Sequence, residues 1–146
     1  MATVRSLLYT SYTDIGLLWL RLAGSFILFQ VHGWPKVIHY SEELTRIEDP
    51  FGTGPAFPLL TAIFAEVVCP LFIAAGLLTR LACLPVIGVL LVAMVAVHPE
   101  WSIAQGQFGW LLLTVFVGIA LCGPGRWSVD ATMVGKPAPS RSPARP

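Results

Sequence analysis

The chain has 146 residues, of which 55% are hydrophobic and 12% are charged, and its formal net charge at pH 7 is +1. A soluble domain carries about 25% charged residues, and a chain this short cannot bury so much apolar side chain in a core of its own. The composition therefore excludes an ordinary soluble domain and predicts an integral membrane protein. The sequence contains no dense run of Lys and Arg that could neutralise a nucleic-acid backbone, so nucleic acid is also excluded as a partner.

Four apolar runs follow one another along the chain, at about residues 15–34, 57–78, 81–97 and 108–122. A helix that crosses a bilayer needs roughly 20 residues, and a helix is the structure that satisfies the backbone of an isolated apolar run in lipid. The fourth run is short, and Gln105, Gly106 and Gln107 could extend it at the interface. We therefore predict an all-α, integral membrane four-helix bundle over residues 15–130, between an N-terminal segment 1–14 and a tail 131–146.

The basic residues predict how this bundle is oriented. Six of them fall in the terminal segments and in the turn between the second and third runs, whereas two fall in the first loop. Cytoplasmic loops carry the excess of Lys and Arg, so both termini are predicted to be cytoplasmic. The six are Arg5, Arg80, Arg126, Lys136, Arg141 and Arg145, and the two are Lys36 and Arg46. The Pro-, Ser- and Arg-rich tail cannot bury a core, so we expect it to be disordered.

The first loop, residues 35–56, is acidic but begins with apolar side chains. They are too numerous for a freely solvated linker, so we predict a short interfacial helix. Pro50 and the Gly- and Pro-containing cluster at residues 52–55 should end it. The apolar residues are Val37, Ile38, Tyr40, Leu44 and Ile47.

Two charged residues lie inside apolar runs, Arg21 in the first and Glu66 in the second. A charge at the centre of a membrane helix costs at least about 2.5–3.5 kcal/mol on insertion scales, so such side chains face the bundle interior and find partners. We predict an ion pair between Arg21 and Glu66. The pair could serve only to fix helix register, or it could handle protons or orient a ligand. In a third interpretation, Arg21 reaches the cytoplasmic interface and Glu66 is protonated.

Further polar groups share the helical face of Arg21, because Ser25, His32 and Lys36 follow it at spacings of four, eleven and fifteen residues. Pro70 removes the backbone donor to the carbonyl of Glu66, which should kink the second helix. These features predict a polar-lined cleft that opens outward, with a polar face of the fourth helix as its far wall. That face consists of Gln107, Trp110, Thr114 and Gly118.

The candidates for ligand binding or proton handling are therefore Arg21, Ser25, His32, Lys36 and Glu66. A hydrogen bond to a quinone carbonyl, or a satisfied interfacial histidine, explains His32 better than a haem site shared with His98. The chain contains no catalytic constellation that assigns catalytic residues, and its three cysteines show no metal-ligand spacing, so no metal site is expected.

Three stretches, in order, resemble the DoxX family of small four-span membrane proteins. They run from Leu20-Arg21-Leu22 to His32-Gly33-Trp34-Pro35-Lys36, from Ala65-Glu66-Val67-Val68 to Gly76-Leu77-Leu78-Thr79-Arg80, and from Gly123 to Asp130, and together they cover residues 17–130. The polar positions of the family fall on Arg21, His32, Lys36, Glu66, Arg80 and Asp130. Its structural motif falls on Arg80, Gly123, Gly125, Arg126 and Asp130. Pro35 and the long acidic first loop depart from the commonest pattern.

The resemblance implies a multi-pass protein of the prokaryotic inner membrane. Some relatives are small subunits of quinol oxidase or of thiosulfate:quinone oxidoreductase, and others belong to oxidative-stress complexes with soluble partners. We therefore expect an accessory, non-catalytic subunit that works with a partner redox subunit or a soluble oxidoreductase. The alternatives are a quinone-binding oxidoreductase subunit that uses Arg21 and Glu66 and, ranked last, a small transporter. No intrinsic cofactor is expected beyond a quinone ligand, and homo-oligomerisation and enzymatic turnover are left open.

Overall fold

The computed structural model describes residues 12–133, and every regular element within that range is a helix. Three helices, α1 (Thr13–Ile38), α3 (Ala56–Ala75) and α4 (Thr79–Val97), are long and apolar enough to cross a bilayer, and α5 (Gln107–Cys122) is an apolar helix of 16 residues. The predicted all-α membrane bundle is confirmed, although α5 begins at Gln107 and does not include Gln105 or Gly106. The shorter helices are α2 Tyr40–Arg46 and α6 Val129–Met133.

The four long helices form an antiparallel bundle in which α1 and α4 each pack against both α3 and α5. One end, called here the Lys36 end, holds α2 and the loops at residues 47–55 and 98–106. The opposite end, called the Asp130 end, holds Tyr12, the turn at residues 76–78 and residues 123–133. The side of the membrane on which each end lies stays a prediction.

The interior of the bundle is apolar, and large apolar side chains also cover much of its outside. The buried core combines residues of all four long helices, among them Leu28, Ile73, Val86 and Phe116. On the outside, Trp19 is 70% exposed. An apolar surface this extensive suits lipid, where helices satisfy their own backbone groups and no apolar side chain meets water. Other exposed apolar side chains include Phe26, Leu60, Leu84, Leu111 and Leu121.

Three of the membrane helices contain a five-residue π-helical segment directly before a residue–proline pair. The segments are Phe29–Gly33, Phe64–Val68 and Ala93–Val97. The residue directly after each segment, called here the closing residue, donates its backbone N–H to the carbonyl five residues earlier. The closing residue is followed in each case by a proline, at position 35, 70 or 99. A proline ring clashes with the carbonyl four residues earlier, and the wider π turn relieves that clash. The kink predicted at Pro70 is thus a π segment, and it carries Glu66.

The first loop contains a short helix, as predicted, but its bounds differ, because α1 continues to Ile38 and so includes Val37, and the short helix ends at Arg46, before Pro50. Helix α2 spans Tyr40–Arg46 and ends where Ile47 adopts an extended conformation. Beyond it, Asp49 organises the turn, since it accepts hydrogen bonds from the Gly54 N–H and the Thr53 hydroxyl. Hydrogen bonds from the backbone N–H groups of Thr53 and Gly54 lower the pKa of Asp49. This carboxylate therefore stays ionised and holds the turn near neutral pH.

The terminal segments are only partly described. Residues 1–11 and 134–146 lie outside the described range, and with them lie Arg5, Lys136, Arg141, Arg145 and most of the segment predicted to be a disordered tail. Residues 131–133 of that predicted tail belong to α6. The boundaries 1–14 and 131–146 therefore stay predictions.

Candidate functional site

Glu66 lies in the middle of α3 and forms an ion pair with Lys36 of α1. The Lys36 ammonium nitrogen is 2.6 Å from the Glu66 Oε2 atom, and it also donates a hydrogen bond of 3.1 Å to the His32 carbonyl. The side chain of Glu66 is 9% exposed and that of Lys36 is 19% exposed. A pair so far removed from solvent is expensive to form and still more expensive to break on one side.

The ion pair sits where the first two π segments cross. Gly33 of α1 lies directly against the backbone of Glu66, and a Cβ at position 33 would be 2.7 Å from the Glu66 carbonyl carbon. Pro70 cannot donate the bond that an α-helix would bring to this carbonyl. The two helix backbones are in contact at this point because residue 33 has no side chain.

His32 adds an imidazole to the same region. Its Nε2 atom is buried and has no hydrogen-bond partner. Its ring lies beside that of Phe108, with the centroids 6.0 Å apart. A buried polar atom without a partner is costly and requires an explanation, such as a ligand or water that it would bind. We call His32, Lys36 and Glu66 the Lys36 cluster.

The predicted ion pair between Arg21 and Glu66 is wrong. Arg21 is fully buried at the Asp130 end, where its Nη2 atom donates to the carbonyl of Trp127. Helix register is the reason. Gly33 is the residue of α1 that meets Glu66, and Arg21 lies twelve residues earlier, about 18 Å along the helix. Arg21 instead meets Gly76, ten residues beyond Glu66 on the antiparallel helix.

The predicted polar stripe is therefore divided into two groups. Arg21 and Ser25 form the second group, and Arg21 Nε, Arg21 Nη1 and Ser25 Oγ are all buried without hydrogen-bond partners. Leu28, which is 0% exposed, lies on α1 between Ser25 and His32. The structure thus brings His32, Lys36 and Glu66 together and keeps Arg21 and Ser25 apart from them.

The fourth helix does not supply the polar wall that the sequence predicts. Thr114 is exposed on the outside of α5, where its hydroxyl donates to the Trp110 carbonyl. Gln107 is exposed as well. Since α5 turns Leu112, Phe116 and Ile119 inward, this wall of the interior is apolar. His98 stacks on Trp101 with ring centroids 3.8 Å apart, at the end of α4.

Residues 123–130, called here the C-terminal clasp, close the Asp130 end. Asp130 accepts hydrogen bonds from the N–H groups of Leu78 and Thr79 and from the Thr79 hydroxyl. It therefore caps the N-terminus of α4 from a segment about fifty residues away. Its own N–H donates to the carbonyl of Gly76, whose φ of +73° favours glycine.

The other members of the predicted structural motif complete the clasp. Arg80 donates to the Leu121 carbonyl near the end of α5, and Gly123 lies against the Arg80 guanidinium. The backbone N–H of Arg126 donates to the Asp14 carboxylate at 2.9 Å. Gly125 packs against Asp14 as well, so the clasp ties α5 back to the start of α1.

Comparison with protein families agrees with this architecture. The family described as DoxX matches residues 16–99, which is more than half of the chain. The chain belongs to the DoxX family. The match covers α1 from residue 16 and all of α2 to α4, with Arg21, His32, Lys36 and Glu66, whereas α5 and the C-terminal clasp lie beyond it. No curated protein and no solved structure gives a significant match.

Sequence reasoning about this DoxX protein missed several contacts. Lys36 was recognised as polar but not as the partner of Glu66, and Gly33 was not recognised as the contact that sets their register. The sequence did contain a signal for this close helix contact, which was a glycine followed two residues later by a proline inside an apolar run. Asp14 gave a weaker signal, as an acid at the start of a helix. The Trp127 carbonyl accepts the hydrogen bond from Arg21, and because it is a backbone group, no residue type in the sequence indicates it.

Removal of the cap from α4 gives a first prediction. Partial burial tends to raise the pKa of Asp130, but hydrogen bonds from the Thr79 and Leu78 N–H groups outweigh it, and the net pKa is lowered. Asp130→Ala should destabilise the DoxX protein by about 0.5–2 kcal/mol, the usual cost of losing a cap. Thermal unfolding in one fixed detergent measures this, with the exposed Glu48→Ala as the unaffected control.

The difference in stability between wild type and Asp130→Ala should depend on pH in one direction. Because the folded pKa of Asp130 is lowered, its contribution is fully present above the ordinary aspartate pKa of about 3.9 and disappears as pH falls through the lowered value. The gap between wild type and Asp130→Ala should be constant from neutral pH down to about pH 5 and should shrink below pH 4. A gap that widens on acidification would contradict the cap.

Proposed function

We propose that this DoxX protein is a small accessory subunit of a membrane redox assembly and binds the head group of a lipid-soluble quinone at the Lys36 cluster. The observation that carries the proposal is the Lys36–Glu66 ion pair inside an apolar bundle, beside a His32 imidazole whose Nε2 atom has no partner. Family membership and the apolar helices support the membrane setting. The resemblance described above suggests the prokaryotic inner membrane and a partner redox subunit.

The groups present fit the chemistry of a quinone head. A binding site for such a molecule is mainly apolar, with a few convergent polar groups that fix its orientation. The Lys36 ammonium has three donors, of which the contacts to Glu66 and to the His32 carbonyl use two. The remaining donor can bond a quinone carbonyl, and His32 can donate to a carbonyl when its proton is on Nε2.

One aromatic ring lies beside His32, and two more lie on the same stretch of α1. Phe29 and Trp34 stack on each other with ring centroids 5.8 Å apart, and Phe108 lies beside His32. Flat apolar rings of this kind suit a planar head group. Glu66 can accept a hydrogen bond from a quinol hydroxyl, and it can hold the proton that such a hydroxyl releases. When bound, the quinone would supply electron and proton exchange with the partner subunit.

Quinone binding by the purified chain tests the proposal. Titration with a short-tailed benzoquinone should quench tryptophan fluorescence saturably, because Trp34 lies in the same region of α1. Glu66→Gln should weaken binding at least tenfold, which corresponds to about 1.4 kcal/mol. Glu100→Gln, a change at an exposed carboxylate of the same end, should leave the affinity unchanged.

A second variant guards against loss of folding in Glu66→Gln. His32→Leu keeps the ion pair and removes only the imidazole, so it should also weaken binding while the thermal unfolding midpoint stays close to that of wild type. If wild type shows no saturable quenching, or if folded Glu66→Gln and His32→Leu bind as tightly as wild type, the Lys36 cluster is not a quinone site.

A further inference from the structure

We propose that an apolar layer around Leu28 and the positive charge of Arg21 together close the Lys36 cluster toward the Asp130 end, so that Glu66 exchanges protons only with the Lys36 end. The inference deepens the proposed function, because it states from which side of the bundle the protons of the site come. It rests on the positions of the polar groups along α1 and on what separates them.

The Lys36 cluster is open toward its own end of the bundle. Lys36 lies two residues before α1 ends at Ile38, and its side chain retains 19% exposure. From there its ammonium reaches inward to Glu66, whose side chain retains 9% exposure. A short polar route therefore joins Glu66 to the surface at the Lys36 end.

In the opposite direction the interior is apolar. Leu28 lies between Ser25 and His32 and is 0% exposed. It belongs to one buried cluster with side chains from all four long helices, so the layer extends across the bundle. A proton cannot cross apolar side chains without water or a polar group to carry it. Other members of this cluster include Cys69, Ile73, Val86 and Phe116.

A second barrier lies beyond the apolar layer. The Arg21 guanidinium is fully buried and fixed by its bond to the Trp127 carbonyl, and Gly76 packs directly against it. A fixed positive charge in a medium of low dielectric constant repels an approaching hydronium ion, and the Asp130 carboxylate, which also interacts with Arg21, offsets part of that charge. The unpartnered atoms of Arg21 and Ser25 lie on the Asp130 side of Leu28.

Few other titratable groups face this part of the interior within residues 12–133. Helix α1 contributes His32 and Lys36 near Glu66, and α3 itself contributes Cys69. Helix α4 contributes Cys83, which is buried, and its Arg80 is exposed at the Asp130 end. Helix α5 brings no Asp, Glu, His, Lys or Arg. Asp130 of α6 interacts with Arg21 on the far side of Leu28. Within residues 12–133, the buried cluster around Leu28 contains no carboxylate, imidazole, amine or guanidinium that could carry a proton between that side and Glu66.

Proton flux into vesicles tests the inference without any quinone. The full chain is reconstituted in liposomes that contain a pH-sensitive dye, and a potassium diffusion potential drives protons inward. Wild type should conduct no more than about twice as fast as protein-free liposomes. Leu28→Ser combined with Arg21→Gln should raise the flux at least tenfold, and Leu28→Ser alone should give a smaller rise.

Two controls separate a proton path from general damage. Leu59→Ser makes the same change at a buried position of α3 that lies outside the Leu28 cluster, toward the Lys36 end, and should not raise the flux. Addition of Glu66→Leu to the conducting variant should return the flux to the wild-type level, because the path needs the carboxylate.

Proton conduction by wild type, an unchanged flux in the double variant, or a flux that persists with Glu66→Leu would each overturn the inference. Because no quinone is present, failure of the barrier and failure of quinone binding are told apart.

Discussion

Replacement of Lys36 by methionine is expected to destabilise the protein by about 3–5 kcal/mol, the usual cost of breaking a buried ion pair on one side. Methionine keeps the length of the aliphatic chain but leaves the Glu66 carboxylate without its partner 2.6 Å away. The low exposure of both side chains means that water compensates little of this loss. Thermal or denaturant unfolding in one fixed detergent, followed by circular dichroism, measures the effect.

A double-mutant cycle tells the pair from its individual side chains. Lys36→Met combined with Glu66→Leu should be much less destabilising than Lys36→Met alone, because no charge is then left unpaired. Arg46→Met provides the matched control, since it breaks a 3.8 Å pair with Glu42 whose side chains are 70% and 61% exposed. That variant should stay within about 1 kcal/mol of wild type. Additive effects of the two buried substitutions would show that Lys36 and Glu66 do not interact.

Replacement of Gly33 by alanine is expected to destabilise the protein by about 1–3 kcal/mol, the usual cost of overpacking. The new Cβ would meet the backbone carbonyl of Glu66 and, at 2.8 Å, the Cγ2 atom of Val67. Backbone atoms in packed helices cannot move aside as a flexible side chain can, so α1 and α3 must separate. The separation should also lengthen the contact between Lys36 and Glu66.

The sign of the change in stability distinguishes Gly33 from a glycine without close neighbours. Gly16 lies in the same helix with no atom within 4 Å of its Cβ position, and Gly16→Ala should stabilise the helix by about 0.5–1 kcal/mol. Opposite signs at the two glycines, measured by thermal unfolding, are therefore expected. If both substitutions are stabilising, α1 and α3 are not in close contact at Gly33.

Helix content and the charged interior could be predicted from sequence because both depend on local composition. Residues 15–34 and 57–78 are apolar over the length of a bilayer, and α1 and α3 form there. Arg21 and Glu66 stand out because a charge in such a run is rare and must face the interior. The structure buries both residues.

The pairing of these charges could not be predicted, because it depends on helix register. A shift of a few residues between two antiparallel helices moves every facing pair by several ångströms. The contact of Gly33 with Glu66 sets that register, and it assigns Glu66 to Lys36 and Arg21 to the Trp127 carbonyl. The prediction of an inward polar face on α5 was wrong for a related reason. Packing turned Phe116 inward and left Thr114 outside.

The sequence by itself determined that this protein is a helical membrane bundle with two charged side chains in its interior. Those features follow from hydrophobicity and from the cost of placing a charge in lipid, which each segment carries alone. Only the tertiary structure decided which charges meet, that Leu28 divides the polar stripe, and that Asp130 caps α4. Each of these needs segments distant in the chain to be brought together, and no single segment encodes the register at which they pack.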